Sequence, residues 1–247
     1  MGFDRLRIKS NARLFYKNNM GMSIVVPLIQ MMISGAAGGV ISVFSSVLLA
    51  FAGNSDAELA VVLLMYPLML AVSFAAAPLM MGMVSWFRKS IYYNTPLTEL
   101  FAPYMNGRFW SSVGTMALTS LYTFLWSLLF MIPGIIKVYS YSQTMFIKAE
   151  NPDIPASRAI KLSMAMMDGH KWDLFVLHCS FIGWLLLSGL TYNILGIVYV
   201  FPYYYAALAF AYEEIKADAA ARGVIDISEI TGGNYFCGQG EPDFLRK

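Results

Sequence analysis

The chain has 247 residues, of which 58% are apolar and only 13% charged, and its formal net charge at pH 7 is +2. Soluble domains run near 45–50% apolar and about 25% charged. A soluble chain of this composition could not cover its surface with polar groups, so composition alone predicts a membrane protein. No basic block is long enough to bind nucleic acid. The two cysteines, Cys179 and Cys237, form no CxxC pair and exclude a disulfide framework.

The amino-terminal "RLRIKSNARLFYKNN" mixes basic residues with Leu6, Ile8, Leu14 and Phe15. Residues 1–19 are therefore expected to form an interfacial amphipathic helix lying on the membrane, with a solvated helical extension as the alternative. The apolar run that follows is about twice the length of a signal-peptide core. It has no small-residue cleavage site after it, so no cleavable signal peptide is expected.

A helix needs roughly 20 apolar residues to cross the hydrocarbon core. Met20–Ser55, Leu59–Phe87, Phe109–Ile136 and Leu174–Tyr212 carry no Asp, Glu, Lys or Arg. The last is too long for one crossing and divides at "SGLTYNILG", near Tyr192–Asn193. The third ends at "IPGIIK", where Pro133 breaks the helix and Gly134 is expected to allow a reversal. Ile135–Ile147 then returns. The predicted fold is all-α: a polytopic membrane helical bundle of about six transmembrane helices over residues 20–215, followed by a flexible cytoplasmic tail over 216–247.

Charge distribution orients this bundle. With the amino terminus inside, every one of the 17 Lys and Arg residues except Lys137 falls on the cytoplasmic side, as the positive-inside rule requires. Trp86, Trp110 and Trp172 each lie within two residues of a cytoplasmic Lys or Arg, where amphipathic rings favour the interface. Both termini are expected in the cytoplasm.

Few polar residues fall within the crossings. Ser111, Thr115, Thr119, Thr123 and Ser127 recur every fourth residue and share a helix face. They read either as small packing residues or as the polar wall of a groove. Gly35 and Gly39 form a GxxxG pair, with packing as its default meaning. Lys137, Tyr141, Thr144 and Lys148 share another face. Each lysine can snorkel to the interface, and an inward-facing Lys137 would instead contact an anion or lipid headgroup. "GIIKVYSY" at 134–141 is weakly echoed by "GIVYVFPY" at 196–203.

The stretch "SMAMMDGHKWDLFVLHCSFIGWLLL" holds both histidines. His170 and His178 differ by about 80° in direction and about 12 Å in height on one helix, so they cannot share a metal ion. No HExxH or Cys–His cluster completes a site. Gly169, His170, Lys171 and Asp173 read as the cytoplasmic start of a crossing, with Gly169 ending the helix before it and His170 within reach of Asp173. His178, one to two turns inward, reads as a neutral imidazole bonded to another helix, with a proton-relay or ligand role as the alternative. No embedded carboxylate pair, nucleophile elbow or glycine-rich phosphate loop appears. The chain is not expected to be an enzyme or to hold a cofactor.

"FLWSLLFMIPGIIKVYSYSQTMFI", "ASRAIKLSMAMMDGHKWDLFVLHCSFIGWLLL" and "LTYNILGIVYVFPYYYAALAFAYEEI" closely resemble the bacterial integral-membrane family called domain of unknown function 975. "IKSNARLFYKNNMGMSIVVPLI" resembles that family's opening, so the likeness covers about residues 8–215. It implies a many-helix protein of the bacterial plasma membrane, distantly similar to the membrane-anchoring domain of some glycerophosphodiester phosphodiesterases. The family has no established activity, so no functional residue carries over.

Two functions stay open. One is binding or moving an amphipathic solute, peptide or lipid in a groove lined by Thr115, Thr119, Thr123, Lys137, Tyr141 and His178. The other is a non-transporting scaffold that docks a partner through cytoplasmic segments 88–108 and 148–172. Membrane lipids are the expected partners in either case, and nucleic acid is not.

Overall fold

The computed structural model describes residues 3–105 and 107–232, and they fold as helices joined by short turns. Helix α1 (Arg5–Asn18) starts because the Asp4 carboxylate accepts the amides of Leu6 and Arg7 at 3.0 and 3.2 Å, which would otherwise be orphaned. Ile8, Ala12, Phe15 and Tyr16 recur at helical spacing and are all buried. That face packs on the last long helix of the chain, while Leu6 and Leu14 stay exposed beside Arg5 and Arg13. The strongest apolar stripe of α1 is thus spent on protein and not on lipid.

Helix α2 (Met20–Phe51) is about 48 Å long at 1.5 Å per residue. It makes a hairpin with α3 (Ser55–Ala75), where the Asn54 side chain accepts the Ala57 amide at 2.9 Å. A bend at Ala76 leads into α4 (Ala77–Ser90), which is buried almost throughout. A 3₁₀ turn (Leu97–Phe101) and α5 (Ala102–Met105) follow. The turn's backbone presses so closely on α4 that a Cβ at Gly82 would collide with the Leu100 carbonyl.

Helix α6 (Phe109–Leu129) ends at Phe130, whose extended backbone reverses the chain. Helix α7 (Met131–Tyr141) then runs back along α6. This corrects the expected break. Pro133 does not end a helix but sits in the first turn of α7, where no helical N–H bond is required of it. Gly134 does not supply a turn but closeness, since a Cβ there would stand 2.9 Å from the Ser127 Cα.

The remaining helices are α8 (Thr144–Glu150), α9 (Ala156–Met166), α10 (Lys171–Cys179), α11 (Ile182–Leu190), α12 (Phe201–Ala221) and α13 (Ile227–Thr231). A single π-type turn, Gly196–Val200, leads into α12. Pro202 follows it in the first turn of α12. The tail boundary expected at residue 216 does not fall there. Helix α12 continues to Ala221, and Ile225, Ile230 and Thr231 are buried. Arg158 clamps the Glu229 carboxylate with Nε and Nη2 at 2.5 and 2.8 Å. Cys237 and the rest of the expected tail lie outside the described residues.

Four stretches are long and apolar enough to cross a membrane: Met20–Phe51, Ser55–Ser90, Phe109–Leu129 and Lys171–Leu190. Together they suggest a membrane protein. Among the described residues these four do not by themselves confirm six crossings. The expected fourth crossing is divided between α7 and α8. The expected sixth, α12, is the hub of the protein core and carries Glu213, Glu214 and Lys216 in its second half. The core gathers at one end of the molecule, from α1, α4, α8, α9 and α12. Beyond it α2, α3, α6 and α11 expose side chains such as Val40, Phe51, Leu63 and Leu128. Those are surfaces suited to hydrocarbon.

Candidate functional site

The core end is also the charged end. Arg88 closes α4, Glu150 closes α8, and Glu213 and Lys216 lie one turn apart on α12. Their side chains are only 1–11% exposed. Lys216 Nζ lies 3.1 Å from Glu150 and 2.8 Å from Glu213. Tyr212 donates its phenol to Glu150 at 2.6 Å and stacks on Phe146. Two cations and two carboxylates balance, which is the condition under which buried charge is tolerated. Arg88 is the loosest member. Its Nη1 is 3.5 Å from Glu150 and 4.0 Å from Glu213, and its Nε is buried with no hydrogen-bond partner.

A cavity of about 230 Å³ opens beside this quartet, between the ends of α4 and α8 and the start of α6. Arg88, Lys89 and Arg108 line it, together with Glu99, Glu150 and Asp153. Lys89 pairs with Glu99 at 2.8 Å, and Ser85 donates to the same carboxylate oxygen at 2.8 Å. Arg108 is 3.7 Å from Asp153. A second cavity of about 250 Å³ lies across the Lys89–Glu99 pair, bounded by Tyr92, Tyr93 and Pro96. Lys148 braces the far wall. It is buried and donates to the carbonyls of Pro152, at 2.6 Å, and Ile154. Burial pushes its ammonium pKa down.

The residues singled out from sequence lie elsewhere. Thr115, Thr119, Thr123 and Ser127 each donate to the carbonyl four residues back at 2.8 Å, so their hydroxyls serve their own helix. Lys137 sits over the Trp126 ring, 4.7 Å from its centroid, with Tyr141 at 6.0 Å. It is a cation held by aromatic faces. His178 is bonded at Nδ1 to the Leu174 carbonyl of its own helix at 2.8 Å and lies between the rings of Tyr139 and Tyr204.

The Gly169–Asp173 motif forms the joint between α9 and α10. Gly169 takes φ +87°, the left-handed value expected after a helix. His170 finds a nearer partner than Asp173. Its Nε2 is 2.8 Å from Asp218 on α12, whereas Asp173 is 3.7 Å from Nδ1. Lys171 opens α10. The hydrogen bond from His170, and then Arg222, hold the Asp218 carboxyl below its usual pKa. Among the described residues no group of three His, Cys, Asp or Glu side chains is placed to hold a metal ion.

Residues 128–219 match the model of a family described as "Protein of unknown function (DUF975)". Over that segment, well under half of the chain, the sequence is similar to that family. No curated protein and no solved structure matches it. The DUF975 segment contains Lys137, Glu150, His170, His178, Glu213 and Lys216. Arg88, Lys89, Glu99 and Arg108 precede it, so the cavity joins the DUF975 segment to the helices before it.

Sequence reasoning missed Arg88, Glu150 and Lys216 as a unit, because each alone reads as a charge flanking an apolar run. The one available signal is "YEEIK" at 212–216, which places Glu213 and Lys216 at i, i+3 beside Tyr212 immediately after an apolar stretch.

Proposed function

We propose that the chain is a non-catalytic, multi-pass protein of the bacterial cytoplasmic membrane that binds an amphipathic molecule at the cytoplasmic end of its helix bundle. The observation that carries this is the charged cavity at the foot of the apolar helices. Its walls come from the last turn of one stretch able to cross a membrane, Ser55–Ser90, and from the residue before another, Phe109–Leu129. A polar pocket at that level meets the polar part of a molecule whose apolar part lies among α2, α3 and α6. Six crossings with both termini inside stay part of this reading, supported by the segregation of Lys and Arg.

The docking alternative needs open loops over 88–108 and 148–172. Leu100, Ile154, Ala159 and Met166 within them are buried in the core, which favours the ligand reading. Mass spectrometry of the intact protein released from mild detergent tests it. An amphipathic adduct that survives extraction and exchanges with added lipid is expected. A bare protein under every mild extraction would overturn the reading.

A further inference from the structure

The lining of the cavity specifies its ligand further, and this step rests on the reading above. Arg88 is a guanidinium with 4% of its side chain exposed, aligned on the cavity wall, and no hydrogen bond of its own serves its Nε. Guanidinium groups bind planar oxyanions and phosphates through paired N–H donors, and the stretched contacts to Glu150 and Glu213 leave that capacity unused. Arg108 adds a second, loosely paired guanidinium on the same cavity.

The lining is nevertheless electrically balanced. Arg88, Lys89 and Arg108 face Glu99, Glu150 and Asp153. A bare anion would leave the site with an uncompensated negative charge beside the buried Glu150 carboxylate, which is unfavourable. A ligand carrying its own ammonium would not. The volume of about 230 Å³ is below the about 300–1,000 Å³ of pockets that enclose a whole drug-sized ligand. It suits a headgroup whose chains stay outside.

We infer that the cavity between α4, α6 and α8 takes the phosphoethanolamine headgroup of a membrane phospholipid, with the phosphate at Arg88 and Arg108 and the ammonium at Asp153 and Glu99. The phosphodiester accepts from the two guanidinium groups, and the primary ammonium donates to carboxylate oxygens that a quaternary ammonium cannot reach by hydrogen bonds.

The test titrates the purified full chain in detergent with short-chain phosphatidylethanolamine, phosphatidylcholine and phosphatidylglycerol, and with water-soluble glycerophosphoethanolamine. Binding is read by intact-protein mass spectrometry. Phosphatidylethanolamine should bind at least tenfold tighter than phosphatidylglycerol and at least threefold tighter than phosphatidylcholine. Arg88→Gln should lose at least tenfold. Because that variant disturbs a buried pair, Arg108→Gln and Asp153→Asn, both at accessible positions, are the second arm, and each should lose at least threefold while the unfolding midpoint holds. Equal binding of phosphatidylglycerol, or unchanged affinity in all three variants, would overturn the assignment and leave the amphipathic reading standing. Glycerophosphoethanolamine binding as tightly as the lipid would place the ligand in water instead of the membrane. Absence of binding by any of the four, with no co-purified adduct, would remove the underlying reading itself.

Discussion

The phenol of Tyr16 donates to the carbonyl of Val198 at 2.8 Å. Val198 lies in the π-type turn that leads into α12, and Pro202, four residues on, has no N–H to offer that carbonyl. Helix α1 thus serves an acceptor that Pro202 cannot. Tyr16→Phe should lower stability by about 1 kcal/mol, because a part-buried hydrogen bond between two helices is lost. In a Pro202→Ala background, where an amide is restored, the same change should cost less. Thermal unfolding of the four proteins in detergent measures the difference.

The glycines divide into two classes. At Gly82 a Cβ would meet the Leu100 backbone, which has no rotamer to relieve it. Gly82→Ala should therefore destabilise by about 1–3 kcal/mol or more. At Gly35 and Gly39 a Cβ meets nothing within 4 Å. Alanine there should be neutral or raise stability by up to about 1 kcal/mol through helix propensity. Unfolding midpoints of the three variants compare them directly. A large loss at Gly35 or Gly39 would point to a close contact with a second molecule.

Breaking the buried quartet should be costly. Lys216→Met leaves Glu150 and Glu213 with one cation instead of two, and removal of one partner from such a pair costs about 3–5 kcal/mol. Lys216→Met combined with Glu150→Gln should recover much of the loss, since charge balance returns. Chemical denaturation of the single and double variants measures the recovery.

Acid should loosen the joint between α9, α10 and α12, and with it the contact of α13 on α9. Asp218 and Glu229 both have carboxyl pKa values held below their usual range, chiefly by the hydrogen bonds from His170 and from Arg158. Depressed carboxyl values contribute stability that is full above the unfolded carboxyl range and is lost as pH falls through the folded values. The loss should therefore set in below about pH 4. Asp218→Asn should flatten that part of the pH profile while lowering stability at neutral pH. Unfolding midpoints between pH 3 and 7 would show whether it does.

Lys137 offers a test of aromatic support. Trp126→Leu removes the ring beneath its ammonium and should cost about 0.5–2 kcal/mol. Lys137→Met in the same background should then cost little more, which a double-mutant cycle reads directly.

Long apolar runs announce themselves through composition, so the all-helical architecture and the stretches able to cross a membrane were legible. So was the helix end at Gly169, because a glycine before a new apolar period has one common use. The turn near Pro133 was legible in place but not in mechanism. A proline can stop a helix or start one, and only the extended backbone of Phe130 decides which. The quartet was not legible. Arg88, Glu150 and Lys216 are distant in sequence, and each stands where a charge normally meets water. Their burial follows from the way α4, α8 and α12 converge, which no local pattern encodes. Thr115, Thr119 and Thr123 were visible as a stripe, but whether a hydroxyl serves its own backbone or a neighbour depends on its side-chain rotamer.

The placement of Arg88 also fixes an order of events during synthesis. Its partners Glu150 and Glu213 lie downstream. At about 5–20 residues per second, Glu150 leaves the ribosome roughly 3–12 s after Arg88, and Glu213 roughly 6–25 s after it. Before Glu150 is made, α4 cannot bury its last turn without an unmatched cation. Arg88 can meet Glu150 first, and the quartet is complete only once the final long helix has brought Glu213 and Lys216.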